Sequence, residues 1–203
     1  MSTFPFSSVI TGDSHIAMTF DDGPHAVNSP RLIDIAAERQ IRLTFFIQGK
    51  CAEANPDLVR RAANDGHEIA NHTWSHPNLS KLSIDEVRTE LLRTDQIIDK
   101  ISGTRPRAMR PPYGELTPSQ QEWIEAEFGY KIILWSVDPR DWQDPGAEAV
   151  ASRILSETRP GSIILSHESI SSTIDAMPQV FDTLIEKGFK FVTVSEIILL
   201  AAC

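Results

Sequence analysis

The sequence predicts an α/β protein built around a mainly parallel β-sheet. Short runs rich in β-branched and aromatic residues alternate along the chain with longer amphipathic segments. The chain has 203 residues, which fits a single domain, and no repeat or low-complexity linker divides it. The alternation fits both an open doubly wound sheet and a closed barrel, and it does not distinguish between them. In both architectures, ligands bind at the carboxyl ends of the strands.

Seven strands are predicted, separated by helices. The predicted strands are Ile16–Phe20, Leu43–Ile47, Glu68–Asn71, Ala108–Arg110, Lys131–Val137, Ser162–Ser166 and Lys190–Val194. The predicted helices are Pro30–Arg39, Pro56–Asp65, Ile84–Ile101, Pro118–Phe128, Ala147–Glu157 and Ile174–Lys187, with a short last helix after Ser195. Ser83 and Glu86 form a capping-box pattern at the start of the longest helix, and Gly188 predicts a helix end.

Composition restricts the classes of function. Hydrophobic residues make up 41% and charged residues 23% of the chain, as in ordinary globular proteins. The net charge of −9 argues against a nucleic-acid partner, which would require a basic surface. No apolar run is long enough to cross a bilayer, so we expect no membrane partner. A monomer is also expected.

The compartment stays open at this stage. The first ten residues have neither a basic start nor an apolar stretch, so no signal peptide is expected. The chain as it stands is therefore expected in the cytoplasm, or in the secreted or envelope fraction if it has been trimmed. Cys51 and Cys203 lie in no C-x-x-C pair. They are either two unrelated thiols or, in an exported protein, a disulfide.

Two adjacent carboxylates end the first predicted strand, in the segment Thr19–Pro24. Neighbouring residues in an extended strand point in opposite directions, but at a strand end that enters a turn both can reach one pocket. Asp21 and Asp22 would repel each other there, so a positive group is expected in the same site. The alternative interpretation is a solvated Asp-Asp-Gly-Pro turn.

Two histidines follow the third predicted strand, in the segment His72–Pro77. The i, i+4 spacing of His72 and His76 predicts that both rings lie on one face of a helical turn. Imidazole pairs suit zinc and related divalent ions, and Asp22 would complete a site of two histidines and one carboxylate. The alternative is two separate surface histidines.

Three further segments follow strands four, five and six: Arg110–Gly114, Asp138–Trp142 and Leu165–His167. Arg110 carries a permanent positive charge. A histidine at a strand end, within reach of a carboxylate, is a general acid or base arrangement. The alternatives are a rigid surface loop, a structural His167 and a Trp142 packed in the core.

Taken in this order, the five segments resemble the polysaccharide deacetylase family, also called carbohydrate esterase family 4 or the NodB-homology domain. The resemblance runs from about His15 to Val194, and we predict one such domain over residues 1–203. It implies a distorted (β/α) barrel of seven or eight strands, and so favours the barrel over the open sheet.

The resemblance also implies roles for individual residues. Asp21 would be the general base, held ionised by Arg110, and Asp22, His72 and His76 would bind the metal. The backbone N–H of Tyr113 would help to form an oxyanion hole. Asp141 would orient His167, which protonates the leaving amine. The acetyl methyl group would lie in an apolar pocket lined by Leu165 and Trp142.

The activity expected from this resemblance is metal-dependent removal of N-acetyl groups from an amino-sugar oligomer or polymer, such as chitin or peptidoglycan. The expected cofactor is one divalent ion, zinc before Co²⁺, Mn²⁺ or Ni²⁺. The alternatives are acetyl-ester hydrolysis, as on xylan, cleavage of another amide, a carbohydrate-binding pseudoenzyme, and a zinc-dependent nuclease or phosphatase. The last of these commonly needs two metals and more ligands.

Overall fold

The computed structural model describes residues 5–11 and 13–201. The strands within these ranges are β1 His15–Gly23, β2 Thr44–Ile47, β3 Glu68–Asn71, β4 Ala108–Met109, β5 Lys131–Ile132, β6 Ile163–Ile164 and β7 Lys190–Phe191. The α-helices are α1 Asn28–Glu38, α2 Gly49–Ala54, α3 Pro56–Asn64, α4 Ile84–Ser102, α5 Pro118–Phe128, α6 Ala147–Glu157, α7 Ser171–Glu186 and α8 Val194–Ala201.

The strands form one parallel sheet in the order β5-β4-β3-β2-β1-β6, with β7 paired to the start of β1. The sheet closes because the segment after β5 reaches β6: Val137 and Ile164 form a parallel bridge, and the Leu165 amide donates to the Val137 carbonyl. β1 therefore contacts β2, β6 and β7 along its length. The predicted α/β class is confirmed, and the closed sheet is a distorted barrel.

The alternation of side chains along β1 separates two apolar layers. Ile16, Met18 and Phe20 face outward and belong to the large cluster shared with helices α1, α6 and α7. Ala17 belongs to a smaller cluster inside the barrel. The other interior members are Val9, Phe46, Ala70, Ala108, Ile133, Ile163, Val194 and Ile197. Residues that face inward are small or apolar near the amino ends of the strands and become polar toward the carboxyl ends.

The predicted helices are largely confirmed. The bounds of α5 and α6 agree with the sequence prediction, and the Ser83–Glu86 capping box is present at the start of α4. The six-residue α2 was missed, because so short a helix leaves little periodic pattern. None of the helices in the described ranges combines the length and apolar character that a bilayer crossing requires.

The last four predicted strands are longer than the observed ones. The predicted Lys131–Val137, for example, keeps regular pairing only at Lys131–Ile132 and continues as isolated bridges. Regular pairing stops where the segment after β5 leaves its neighbour β4 and crosses to β6. Closure of the sheet therefore shortens the strand. Cys203 lies outside the described residues, and Cys51 is half-buried on α2.

Candidate active site

The five predicted segments meet at the carboxyl end of the barrel, around a cavity of about 640 Å³. The inward alternation explains the convergence, because Ala17, Thr19 and Asp21 follow one another on the inner face of β1. The cavity is lined by Asp21, Asp22, His72, His76, Pro111, Tyr113, Trp135, Asp138, Trp142, Leu165, His167, Ser169 and Ile170. Arg110 and Asp141 lie behind this lining and are fully buried.

A buried ion pair supports Asp21. The Arg110 Nη1 atom donates to Asp21 Oδ1 at 2.6 Å and to Thr19 Oγ1 at 2.8 Å. Its Nη2 atom donates to the Leu134 carbonyl at 3.1 Å, and the guanidinium lies 4.2 Å from the Phe46 ring centroid. Burial lowers the pKa of Arg110, and the adjacent Asp21 opposes that shift. The positive group predicted beside the two aspartates is therefore present.

A bulge lets neighbouring aspartates face the same cavity. The register of β1 against β2 shifts between Asp21 and Gly23, so Asp22 is an extra residue in the pairing, with a left-handed φ of 71°. Bulges commonly redirect a side chain at the rim of a barrel. The interpretation as a merely solvated turn is wrong, because Asp21 is buried and Asp22 is largely covered.

His72 and His76 converge as predicted, but the predicted helical turn is wrong. The segment after β3 is a loop in which Thr73 and His76 have left-handed φ values of 66° and 61°. Two such residues within four positions reverse the chain without a helix. The ring centroids of the two histidines lie 4.9 Å apart.

The ligand atoms of Asp22, His72 and His76 lie within 4.8 Å of one another. Asp22 Oδ1 is 3.6 Å from His72 Nε2 and 3.5 Å from His76 Nε2. His72 Nδ1 lies 2.7 Å from the Arg110 carbonyl and therefore carries the proton, which leaves the lone pair of Nε2 free to bind a cation. Two imidazoles and one carboxylate are a donor set that fits zinc and related divalent ions.

The charges of the cluster are mutually supporting. Burial opposes ionisation of Asp22, but the charges of the nearby imidazoles of His72, His76 and His167 outweigh it, and with a hydrogen bond from Gln48 they lower the pKa of the carboxyl. Burial, with the neighbouring His72, lowers the pKa of His76. Both shifts favour the deprotonated forms that bind a cation.

The pair of His167 and Asp141 is also formed. His167 Nδ1 lies 2.8 Å from Asp141 Oδ1, and the His167 amide donates to Asp141 Oδ2 at 2.7 Å. Burial works against the charged imidazole, but the hydrogen bond and charge of Asp141, together with Asp21 and Asp22, raise the pKa of His167 to about 9. The interaction is suited to holding a proton on His167 at neutral pH.

Two exposed residues border the open side of the cavity, and a buried leucine lies at its base. Tyr113 has a left-handed φ of 62°, the residue is 63% exposed, and its ring lies edge-on to that of His76, with the centroids 4.8 Å apart. Trp142 is 58% exposed, so the alternative of core packing is wrong. Leu165 is buried at the base of the same lining.

Sequence reasoning missed three polar residues that support the site. Gln48 follows β2 and donates to Asp22 Oδ1 at 2.6 Å, so its strand-end position could have identified it. Glu168 accepts a hydrogen bond from Ser29 and occupies the space that a Cβ at Gly23 would need. Burial raises the pKa of Glu168 to about 8. Glu90 on α4 accepts hydrogen bonds from the amides of Trp74 and Ser75, in the loop that carries the two histidines. No local pattern distinguishes it from other acids of that helix.

Comparison with known proteins identifies the family. The family profile described as Polysaccharide deacetylase matches residues 8–133, and the chain belongs to this family. It is 39% identical to a peptidoglycan-N-acetylglucosamine deacetylase of Bacillus cereus, over 89% of this chain and 66% of the relative. It is 35% identical to a chitooligosaccharide deacetylase of Sinorhizobium fredii, over 88% of this chain and 89% of the relative.

Solved structures give the same fold. A crystal structure of a peptidoglycan N-acetylglucosamine deacetylase superposes with a TM-score of 0.91 at 36% identity, covering 94% of this chain and 91% of that one. A family pseudoenzyme from Bacillus anthracis also gives 0.91, at 27% identity, over 97% and 69% of the two chains. The present chain spans 66%, 38% and 39% of the length of three peptidoglycan deacetylases that it matches.

Proposed function

We propose that this chain, as one domain over residues 1–203, removes N-acetyl groups from an amino-sugar oligomer or polymer and releases acetate. The observation that carries the proposal is the convergence on one cavity of the cluster Asp22, His72 and His76, the buried carboxylate Asp21, and a His167 with a raised pKa. The relatives are named for peptidoglycan and chitooligosaccharide deacetylation, which supports the same substrate class here.

Asp22, His72 and His76 are the residues that would hold a divalent ion, with zinc as the expected metal. When bound, such an ion polarises a carbonyl and lowers the pKa of water. Asp22 and the two histidines thereby place that chemistry beside Asp21, whose Oδ2 lies 3.7 Å from His72 Nε2. One copy of the chain supplies all three ligands, so we propose that a monomer is sufficient.

Asp21 is the proposed general base. Its Oδ1 is engaged by Arg110, which offsets the repulsion from Asp22, while Oδ2 faces the histidine cluster. The carboxylate can therefore take a proton from an attacking water molecule in the cavity. A positioned base of this kind typically contributes about 10²- to 10⁴-fold to the rate.

The part of the cavity lined by Tyr113, Trp142 and Leu165 suits the acyl group. We assign the backbone N–H of Tyr113 to stabilisation of the tetrahedral oxyanion, because its loop lies against His76. Leu165 and Trp142 offer apolar surface for the acetyl methyl group. The exposed Trp142 and Tyr113 also give flat faces on which a sugar ring can pack.

His167 is the proposed general acid. Amide nitrogen is a poor leaving group until it is protonated, and Asp141 keeps the imidazole charged and oriented toward the cavity. Proton release to the departing amine leaves a neutral His167, which can be reprotonated before the next turnover.

The test is acetate release by purified protein on chitooligosaccharides of several lengths, peptidoglycan fragments and acetylated xylan. We expect turnover on the amino sugars, loss of activity after dialysis against a chelator, and recovery with Zn²⁺. Asp22→Ala is the matched control and should stay inactive after Zn²⁺ is added. Release from xylan alone would identify an acetyl esterase. Sugar binding without turnover on any substrate would identify a carbohydrate-binding pseudoenzyme, and full activity in metal-free protein would refute the metal role.

A further inference from the structure

The loop that carries the two histidines is strained. Thr73 is β-branched and has a φ of 66°, a region that β-branched residues rarely adopt, and His76 has a φ of 61°. Conformations of this kind are unfavourable and persist only where surrounding contacts fix them. The position of His76 in the metal cluster therefore depends on whatever holds this loop in its reversed path.

The amide groups of the loop are fixed from two sources. Asn71 and Thr73 supply the local bonds: the Thr73 amide donates to Asn71 Oδ1 at 2.8 Å, and the His76 amide donates to Thr73 Oγ1 at 3.1 Å. The two amides between them belong to Trp74 and Ser75. Both donate to Glu90 Oε2, at 2.9 and 2.8 Å, and the Ser75 hydroxyl donates to Glu90 Oε1 at 2.9 Å.

The carbonyl side of the loop is fixed separately. The amides of Gly49 and Lys50, at the start of α2, donate to the carbonyls of Thr73 and Trp74 at 2.9 and 3.1 Å. The loop is therefore clamped between α2 and Glu90. Within the described ranges, Glu90 is the one side chain from outside residues 71–76 that bonds the loop's amides.

We propose that Glu90 is a positioning residue that sets the metal affinity of the site by holding His76 in place. The inference rests on the proposed metal role of Asp22, His72 and His76. Glu90 itself does not belong to the ligand cluster, so its effect passes through the loop. Partners that orient metal ligands typically change metal affinity by about 10- to 100-fold when they are removed.

The experiment measures Zn²⁺ binding to metal-free protein by calorimetry with a competing chelator. Glu90→Ala should weaken binding by about 10- to 100-fold. Glu90→Gln should recover most of the affinity, because its carbonyl oxygen can replace Oε2 and its amide group can donate to the Ser75 hydroxyl. Glu86→Ala is the matched control, since Glu86 caps the same helix without touching the loop. It should lower the stability of α4 and leave Zn²⁺ affinity unchanged.

A spectroscopic measurement separates positioning from general destabilisation. The absorption bands of bound Co²⁺ should change in Glu90→Ala and be retained in Glu90→Gln and Glu86→Ala. If Glu90→Ala does not fold, the shorter Glu90→Asp replaces it and is expected to lose affinity in the same direction. Wild-type affinity and an unaltered Co²⁺ spectrum in the folded Ala or Asp variant would overturn the inference. Failure of wild-type protein to bind Zn²⁺ at all would instead overturn the proposed function.

Discussion

Replacing Asp141 with asparagine should move the alkaline limb of the pH–rate profile to lower pH. His167 has a pKa of about 9 in the protein against an ordinary 6.5, although burial alone would lower it. This difference of about 2.5 corresponds to about 3 kcal/mol in favour of the imidazolium. The largest favourable contributions come from Asp141, which accepts hydrogen bonds from both the ring and the backbone of His167.

The direction follows from the proposed role of His167 as an acid. Activity requires the protonated ring and is lost as the pH rises through its pKa. Removal of the Asp141 charge lowers that pKa, so the loss of activity begins at lower pH, by about one to three pH units, the usual effect of an adjacent opposite charge. A bound divalent cation would lower the pKa of His167 in wild type and variant alike, and the difference between them should remain.

The assay is kcat/KM against pH for wild type, Asp141→Asn and Thr173→Val. Thr173 donates to Asp141 Oδ2 at 2.8 Å, so its replacement disturbs the same carboxylate but keeps the charge, and should give a smaller shift. His167→Ala should reduce amide cleavage by about 10²-fold or more and damage an activated acetyl ester less, since an alkoxide leaves without a strong acid. Equal losses on both substrates with an unmoved alkaline limb would show that His167 is not the acid.

The other predictions concern Asp21, Asp22 and Glu168. Asp21→Asn should lower turnover by about 10²- to 10⁴-fold with Zn²⁺ affinity nearly intact, whereas Asp22→Asn should weaken Zn²⁺ binding. Equal metal loss in both variants, measured by calorimetry, would contradict this division of roles. Glu168, whose pKa is raised from 4.5 to about 8, binds a proton in the folded state that the unfolded chain releases. Between about pH 4.5 and 8, the free energy of unfolding should therefore fall by up to about 1.4 kcal/mol for each unit by which the pH rises. Glu168→Gln should remove this contribution to the slope. The measurement is denaturant unfolding of both metal-free proteins at several pH values on either side of neutrality. The same dependence of stability on pH in wild type and Glu168→Gln would refute the assignment.

The strand-end rule explains why residues of the proposed active site could be predicted. Asp21, His72, Arg110 and His167 each follow an apolar run, and parallel strands bring their carboxyl ends to one edge. The supporting residues follow no such rule. Glu90 lies in the middle of a helix, on a face whose neighbours depend on how α4 packs against the loop after β3. Glu168 is an acid next to a histidine, and only burial against Gly23 distinguishes it from a surface residue.

The amino-acid sequence by itself determined the α/β class, the order of the elements and the identity of the groups that meet in the cavity. These features are local, because the alternation of strand and helix patterns, the helix caps and the strand ends each depend on residues that are close together in the sequence. The tertiary structure alone decided that the sheet closes through Val137 and Ile164, and that His72 and His76 converge through a left-handed loop. It also decided that Asp22 turns inward at a bulge. Each of these depends on contacts between residues far apart in the chain, whose free energies compensate for backbone conformations that the local sequence does not favour.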